Sequence, residues 1–97
     1  MRVPRPRSTV EGTIRRAWRE AALVRIGKRG ITEEVVKEIK RHLKQRGAVK
    51  VRILKSAIAK EGKDRRELAR TLAIRVGAKL AGVRGYTLVL YKPGAGG

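Results

Sequence analysis

The 97 residues allow one modest core, and 41% apolar residues are enough to fill it; Trp18, Tyr86 and Tyr91 are the only aromatics, so that core is aliphatic. Lys and Arg outnumber Asp and Glu by 26 to 8, giving +18 and a pI of about 11.7, and self-repulsion of that size asks for a polyanion, nucleic acid first. The absence of Cys and a single histidine, His42, exclude disulfides, thiol chemistry and a histidine pair within one chain, and no apolar run reaches the ~20 residues of a membrane span. The expectation is a cytoplasmic protein that is no enzyme, with no cofactor and no membrane partner.

Residues 1–7 hold Arg2, Arg5 and Arg7 with two prolines and no acid. They read as a flexible basic arm, either lying along a phosphate backbone or simply solvated. Ser8 to Glu11 has the form of a capping box, and Val10, Ile14, Ala17, Trp18 and Ala21 recur at helical spacing, which predicts a helix from Thr9 to Glu20. Trp18 reads as a core anchor in preference to a base-stacking platform. Ala22–Ile26 reads as a short strand stopped by Gly27.

Next comes Gly27-Lys28-Arg29-Gly30, two glycines around two cations at the mouth of a helix. Glycine permits close backbone approach, and a helix N-terminus offers unpaired N–H groups with partial positive charge, here those of Gly30 and Ile31. The turn therefore suits a phosphate, with Lys28 and Arg29 adding charge-assisted bonds that carry no base identity. Thr32 is a good N-cap, and Val35, Val36, Ile39 and Leu43 make a buried stripe. Lys37, Lys40, Arg41 and Lys44 fill the outer face, and Gly47 ends the helix. His42 receives no role.

Val49–Leu54 alternates as a half-buried strand, with Lys50 and Arg52 outward. Residues 55–63 read as a polar connector with at most one helical turn at Ala57–Ala59. Asp64 to Glu67 starts another helix, with Leu68, Ala69, Leu72, Ala73 and Val76 as its stripe and Gly77 as its end. Leu80–Val83 and Tyr86–Tyr91 flank Arg84-Gly85 as a hairpin, and residues 94–97 form a flexible tail. The order α-β-α-β-α-β-β predicts one domain over residues 8–93, of the α/β class, a mixed four-stranded sheet with helices packed on it. Strand order does not follow from sequence.

The segments Ile26–Glu33 (IGKRGITE) and Gly85–Tyr91 (GYTLVLY), with VKVRIL between them, resemble the CRM domain (chloroplast RNA splicing and ribosome maturation) in its single-domain YhbY-like form. The resemblance covers roughly Arg16–Pro93. It implies an RNA-binding fold similar to the C-terminal domain of translation initiation factor three, with Gly27, Lys28, Arg29 and Gly30 as the RNA contact. It also implies a link to ribosomal RNA and large-subunit precursors. The chain departs from the pattern in its long 55–63 connector and its extreme basicity, which suit a resident of the ribosome. The expected partner is therefore ribosomal RNA in a ribosomal particle, with ribosomal proteins as neighbours, for either a ribosomal component or an assembly factor. No oligomer is implied. The expected RNA-binding set is Gly27, Lys28, Arg29 and Gly30 with Arg25, Lys37, Arg41, Arg2, Arg5 and Arg7. Two rivals share the charge. A KH module would set the GxxG loop between two helices, and a chromatin-type DNA binder would prefer long duplex DNA.

Overall fold

The computed structural model describes the backbone of residues 6–92 and the side chains of residues 10–92. Within these bounds the chain runs α1 (Pro6–Arg19), β1 (Val24–Ile26), α2 (Glu33–Arg46), β2 (Ala48–Ile53), α3 (Lys55–Glu61), α4 (Arg65–Val76), β3 (Lys79–Arg84) and β4 (Thr87–Tyr91). The mixed four-stranded sheet is present, in the order β1-β2-β4-β3. β1 and β2 pair in parallel across the α2 crossover, while β4 lies antiparallel to both β2 and β3. No described helix is long and apolar enough to cross a membrane.

Local chemistry explains where the helices start and stop. The Thr32 hydroxyl accepts from Val35 N at 3.1 Å, and the Asp64 carboxylate accepts from Glu67 N at 2.8 Å. Gly47 and Gly77 close α2 and α4 in the left-handed conformation, donating back to Leu43 O and to Ala73 and Ile74 O. β1 starts at Val24 and not at the expected Ala22, the other strand ends and the end of α1 shift by at most one residue, and there are three further differences. α1 begins at Pro6, ahead of the expected Ser8 cap, because proline tolerates the first helical position, where its missing N–H has no intrahelical partner anyway. Residues 55–61 form a full helix, α3, ended by Gly62. The hairpin loop is Gly85-Tyr86, since Arg84 stays in register opposite Thr87 and Gly85 (φ 60°) takes the first loop position, where tight hairpins need positive φ.

The sheet is covered on both faces. On one, Val24, Ile26, Val49, Val51, Ile53, Leu88 and Leu90 meet α2, α3 and α4 through Ile39, Leu43, Ala57, Leu68 and Leu72, all buried. On the other, α1 lays Ala17, with Ile14 and Trp18 beside it, on Ala48, Val89 and Tyr91. Lys50 points to this second face, where its ammonium donates to the carbonyls of Trp18 (3.0 Å) and Glu20 (3.1 Å) at the C-terminal end of α1. A cation that reads as solvated in sequence therefore fastens a helix. In β3 the register shifts between Leu80 and Gly82, so the extra residue Ala81 lets both Leu80 and Val83 pack on the main core despite their odd spacing.

Candidate nucleic-acid interface

The GKRG segment is a closed turn leading from β1 to α2. Gly30 N donates to Gly27 O at 2.9 Å, which places Lys28 and Arg29 at the exposed corner. Gly30 is buried at φ 74°, and a Cβ there would overlap the Glu61 carboxylate. That carboxylate, at the end of α3, accepts from Ile31 N at 2.8 Å. The expectation that the Gly30 and Ile31 N–H groups bind a phosphate is thus corrected, because both are already satisfied within the chain. What passes close to Gly30 is a side chain of α3, so the helix that the sequence presents as a connector is what holds the loop. Gly27 differs: a Cβ there meets only Leu54 Cδ1 at 3.6 Å, an ordinary contact.

Five of the expected residues come together. Arg25, Gly27, Lys28, Arg29 and Gly30 line one concavity of about 330 Å³ at the edge of the sheet. Thr32, Val35, Glu34 and Glu38 line its other side, so two carboxylates sit among the cations. Lys28, Arg29 and Arg25 are exposed, and none makes an ion pair with a described residue. Lys37 and Arg41 are exposed on α2 but do not line the concavity, and Arg41 lies 3.9 Å from Glu38. Arg7 belongs to α1, while Arg2 and Arg5 lie outside the described residues.

The expected choice for Trp18 has a mixed outcome. It is half-buried over the smaller cluster, as an anchor would be, and its outer ring face carries the Arg84 guanidinium at 4.1 Å. His42 is largely buried on α2, 3.9 Å from Glu38. Burial holds its pKa below 6.5, with Arg41 and Arg46 pushing the same way and Glu38 opposing. Sequence reasoning missed Glu61. Its one sequence signal is a carboxylate in the last turn of a helix, where the dipole disfavours it and a distant donor is needed.

The loop joins a strand to a helix, unlike the helix–loop–helix setting of a KH module. A family model described as the CRS1 / YhbY (CRM) domain matches residues 11–92. A curated relative, "Probable RNA-binding protein MJ0652" of Methanocaldococcus jannaschii, is 39% identical over 74 residues, covering 76% of this chain and 53% of that protein. The chain thus spans about half the length of that relative. The solution structure of SAV1595 from Staphylococcus aureus, described as a candidate RNA-binding protein, superposes with a TM-score of 0.67 at 28% identity, covering 93% of this chain and 88% of the other.

Proposed function

The chain belongs to the CRS1 / YhbY (CRM) domain family, and we propose that it binds RNA, gripping the sugar-phosphate backbone at the GKRG loop within a ribosomal particle. The observation that carries this reading is the corner of the loop itself: Lys28 and Arg29 project from a turn held rigid by Gly27 O and Glu61, with no ion pair to a described residue. With the turn's backbone already closed, only the side chains of Lys28 and Arg29 have to be ordered when a phosphate arrives. Arg25 adds a third cation, Lys37 and Arg41 extend the surface along α2, and the charges of Arg2, Arg5 and Arg7 add to the attraction for a phosphate backbone. The names of the two similar proteins point the same way, and the few aromatics favour structured RNA recognised by shape and backbone. Ribosomal RNA, with ribosomal proteins as neighbours, suits the +18 charge better than a sparse target does.

The test pairs titration with fractionation. If about six phosphates are neutralised, the affinity for a structured RNA falls with salt at a log–log slope of roughly −4 to −5, from about −0.7 per contact for single strands to about −0.9 for duplex. Lys28→Asp with Arg29→Asp weakens binding and leaves the fold intact. A slope near −1 by that per-contact measure, or unchanged affinity in the folded double variant, sinks the loop-centred grip. On gradients of native lysate, persistence with mature ribosomal particles through a high-salt wash marks a resident component. Co-sedimentation only with precursors marks an assembly factor, and recovery with DNA overturns the reading.

A further inference from the structure

The four strands carry no acidic residue, and their registers bring three arginines into one cross-strand row. Arg25 lies opposite Arg52, Arg52 opposite Thr87, and Thr87 opposite Arg84. The row crosses the whole sheet, a span of roughly 14 Å at about 4.8 Å per strand. It faces away from the main core, because its chain neighbours Val24, Ile26, Val51, Ile53, Leu88 and Val83 pack into that core and successive side chains alternate. α1 covers the two rows beyond it, through Val89 and through Ala48 and Tyr91, and touches this one only where Trp18 meets Arg84. Arg25, Arg52 and Arg84 are all exposed, and none has an ion-pair partner among the described residues.

Among the described residues, the stacking of Arg84 on Trp18 accounts for one of the three arginines, and no ion pair accounts for Arg25 or Arg52. Like charges directly opposite one another destabilise a strand pair, and exposed guanidinium groups contribute no core packing. All eight acids lie on helices, at a helix cap or in the link after α1, so no carboxylate enters the row. Arg84 is also pre-set, its guanidinium held over the Trp18 ring at 4.1 Å. Thr87 Oγ1 donates to Arg84 O at 2.8 Å, which fixes the far end of the row.

We propose that Arg25, Arg52 and Arg84 form a phosphate track for an RNA backbone, a second contact that begins where the GKRG concavity ends. Arg25 belongs to both, lining the concavity and standing first in the row. Guanidinium forks bind phosphate oxygens bidentately, and an open row on a sheet face suits a polymer backbone better than a small ligand. The proposal rests on the RNA-binding reading above and adds Arg52 and Arg84, which lie outside the loop.

The test uses the full chain and a short hairpin RNA titrated at several salt concentrations. Arg52→Gln with Arg84→Gln spares every residue of the loop. It should weaken binding by roughly tenfold and make the log–log salt slope shallower by roughly 1.4 to 1.8, for two lost contacts. Arg52→Gln alone, which removes no ion pair among the described residues, should give about half the change in slope. Lys40→Gln with Lys44→Gln removes the same charge from α2 and should change both quantities far less. A folded Arg52→Gln variant with wild-type affinity and slope overturns the track and leaves the loop reading standing. Equal losses from the α2 pair and the row pair also overturn it, since bulk charge then suffices. Wild-type protein that fails to bind the hairpin overturns both.

Discussion

The two glycines of the GKRG turn look equivalent in sequence and differ in structure. Gly30 is required twice by the fold itself: it sits at φ 74°, and it lies against the carboxylate of Glu61. Gly27 meets neither demand. Gly30→Ala should therefore cost about 1–3 kcal/mol of stability, while Gly27→Ala should stay within about 0.5 kcal/mol. Urea denaturation of both variants checks this. Equal costs would show that the loop is not built by the Glu61 contact as described. RNA titration of the stable Gly27→Ala protein then has a clean meaning, because any loss of affinity reports on a ligand passing near Gly27. His42 offers a second test on a single residue. Its pKa is lowered below 6.5, by burial first and by Arg41 next, so between the lowered value and 6.5 the unfolded chain binds a proton that the folded chain does not. Stability therefore falls as pH drops through that window. Denaturation at about pH 7.5 and about pH 5.5 should show the loss in wild-type protein and less of it in His42→Gln. An identical pH dependence in both would remove His42 as its source.

At the scale of elements, what was legible in the sequence was whatever is decided locally. The Thr32 and Asp64 caps, the Gly47 and Gly77 stops and the alternation of Val49, Val51 and Ile53 each depend on residues a few positions apart, and each stands as read. The features that were not legible are set by partners far along the chain. Glu61 bonds across 30 residues to Ile31, and Lys50 reaches 32 residues back to Trp18. The strand order and the Ala81 irregularity depend on how β4 inserts between β2 and β3. The candidate site divides the same way. The GKRG corner is visible as a motif, whereas the arginine row exists only once register places Arg25, Arg52 and Arg84 on one line. Arg52 reads as an ordinary outward residue of an alternating strand, and no spacing rule links it to Arg84.

At the scale of the whole molecule, the net charge of +18 acts on folding and on binding in opposite directions. Few of the cations are compensated: among the described residues the ion pairs of Lys and Arg are Arg41 with Glu38, Arg46 with Glu20, and Arg75 with Glu33, all at 3.3–3.9 Å. Pairs this exposed contribute little, while repulsion among the remaining cations is long-ranged at low salt. Screening shortens that range from about 30 Å at 0.01 M to about 10 Å at 0.1 M ionic strength. The free protein should therefore melt at a higher temperature as salt increases over this interval, while its affinity for RNA falls over the same interval. Hairpin RNA added at low salt should raise the melting temperature further, because the ligand binds the folded state and supplies the missing counter-charge. Thermal melts by circular dichroism across a salt series, with and without the hairpin, measure all three effects. A free-protein melting temperature that falls with salt would mean that attractive surface pairs outweigh repulsion. The open arginine row would then carry no folding cost for RNA to relieve.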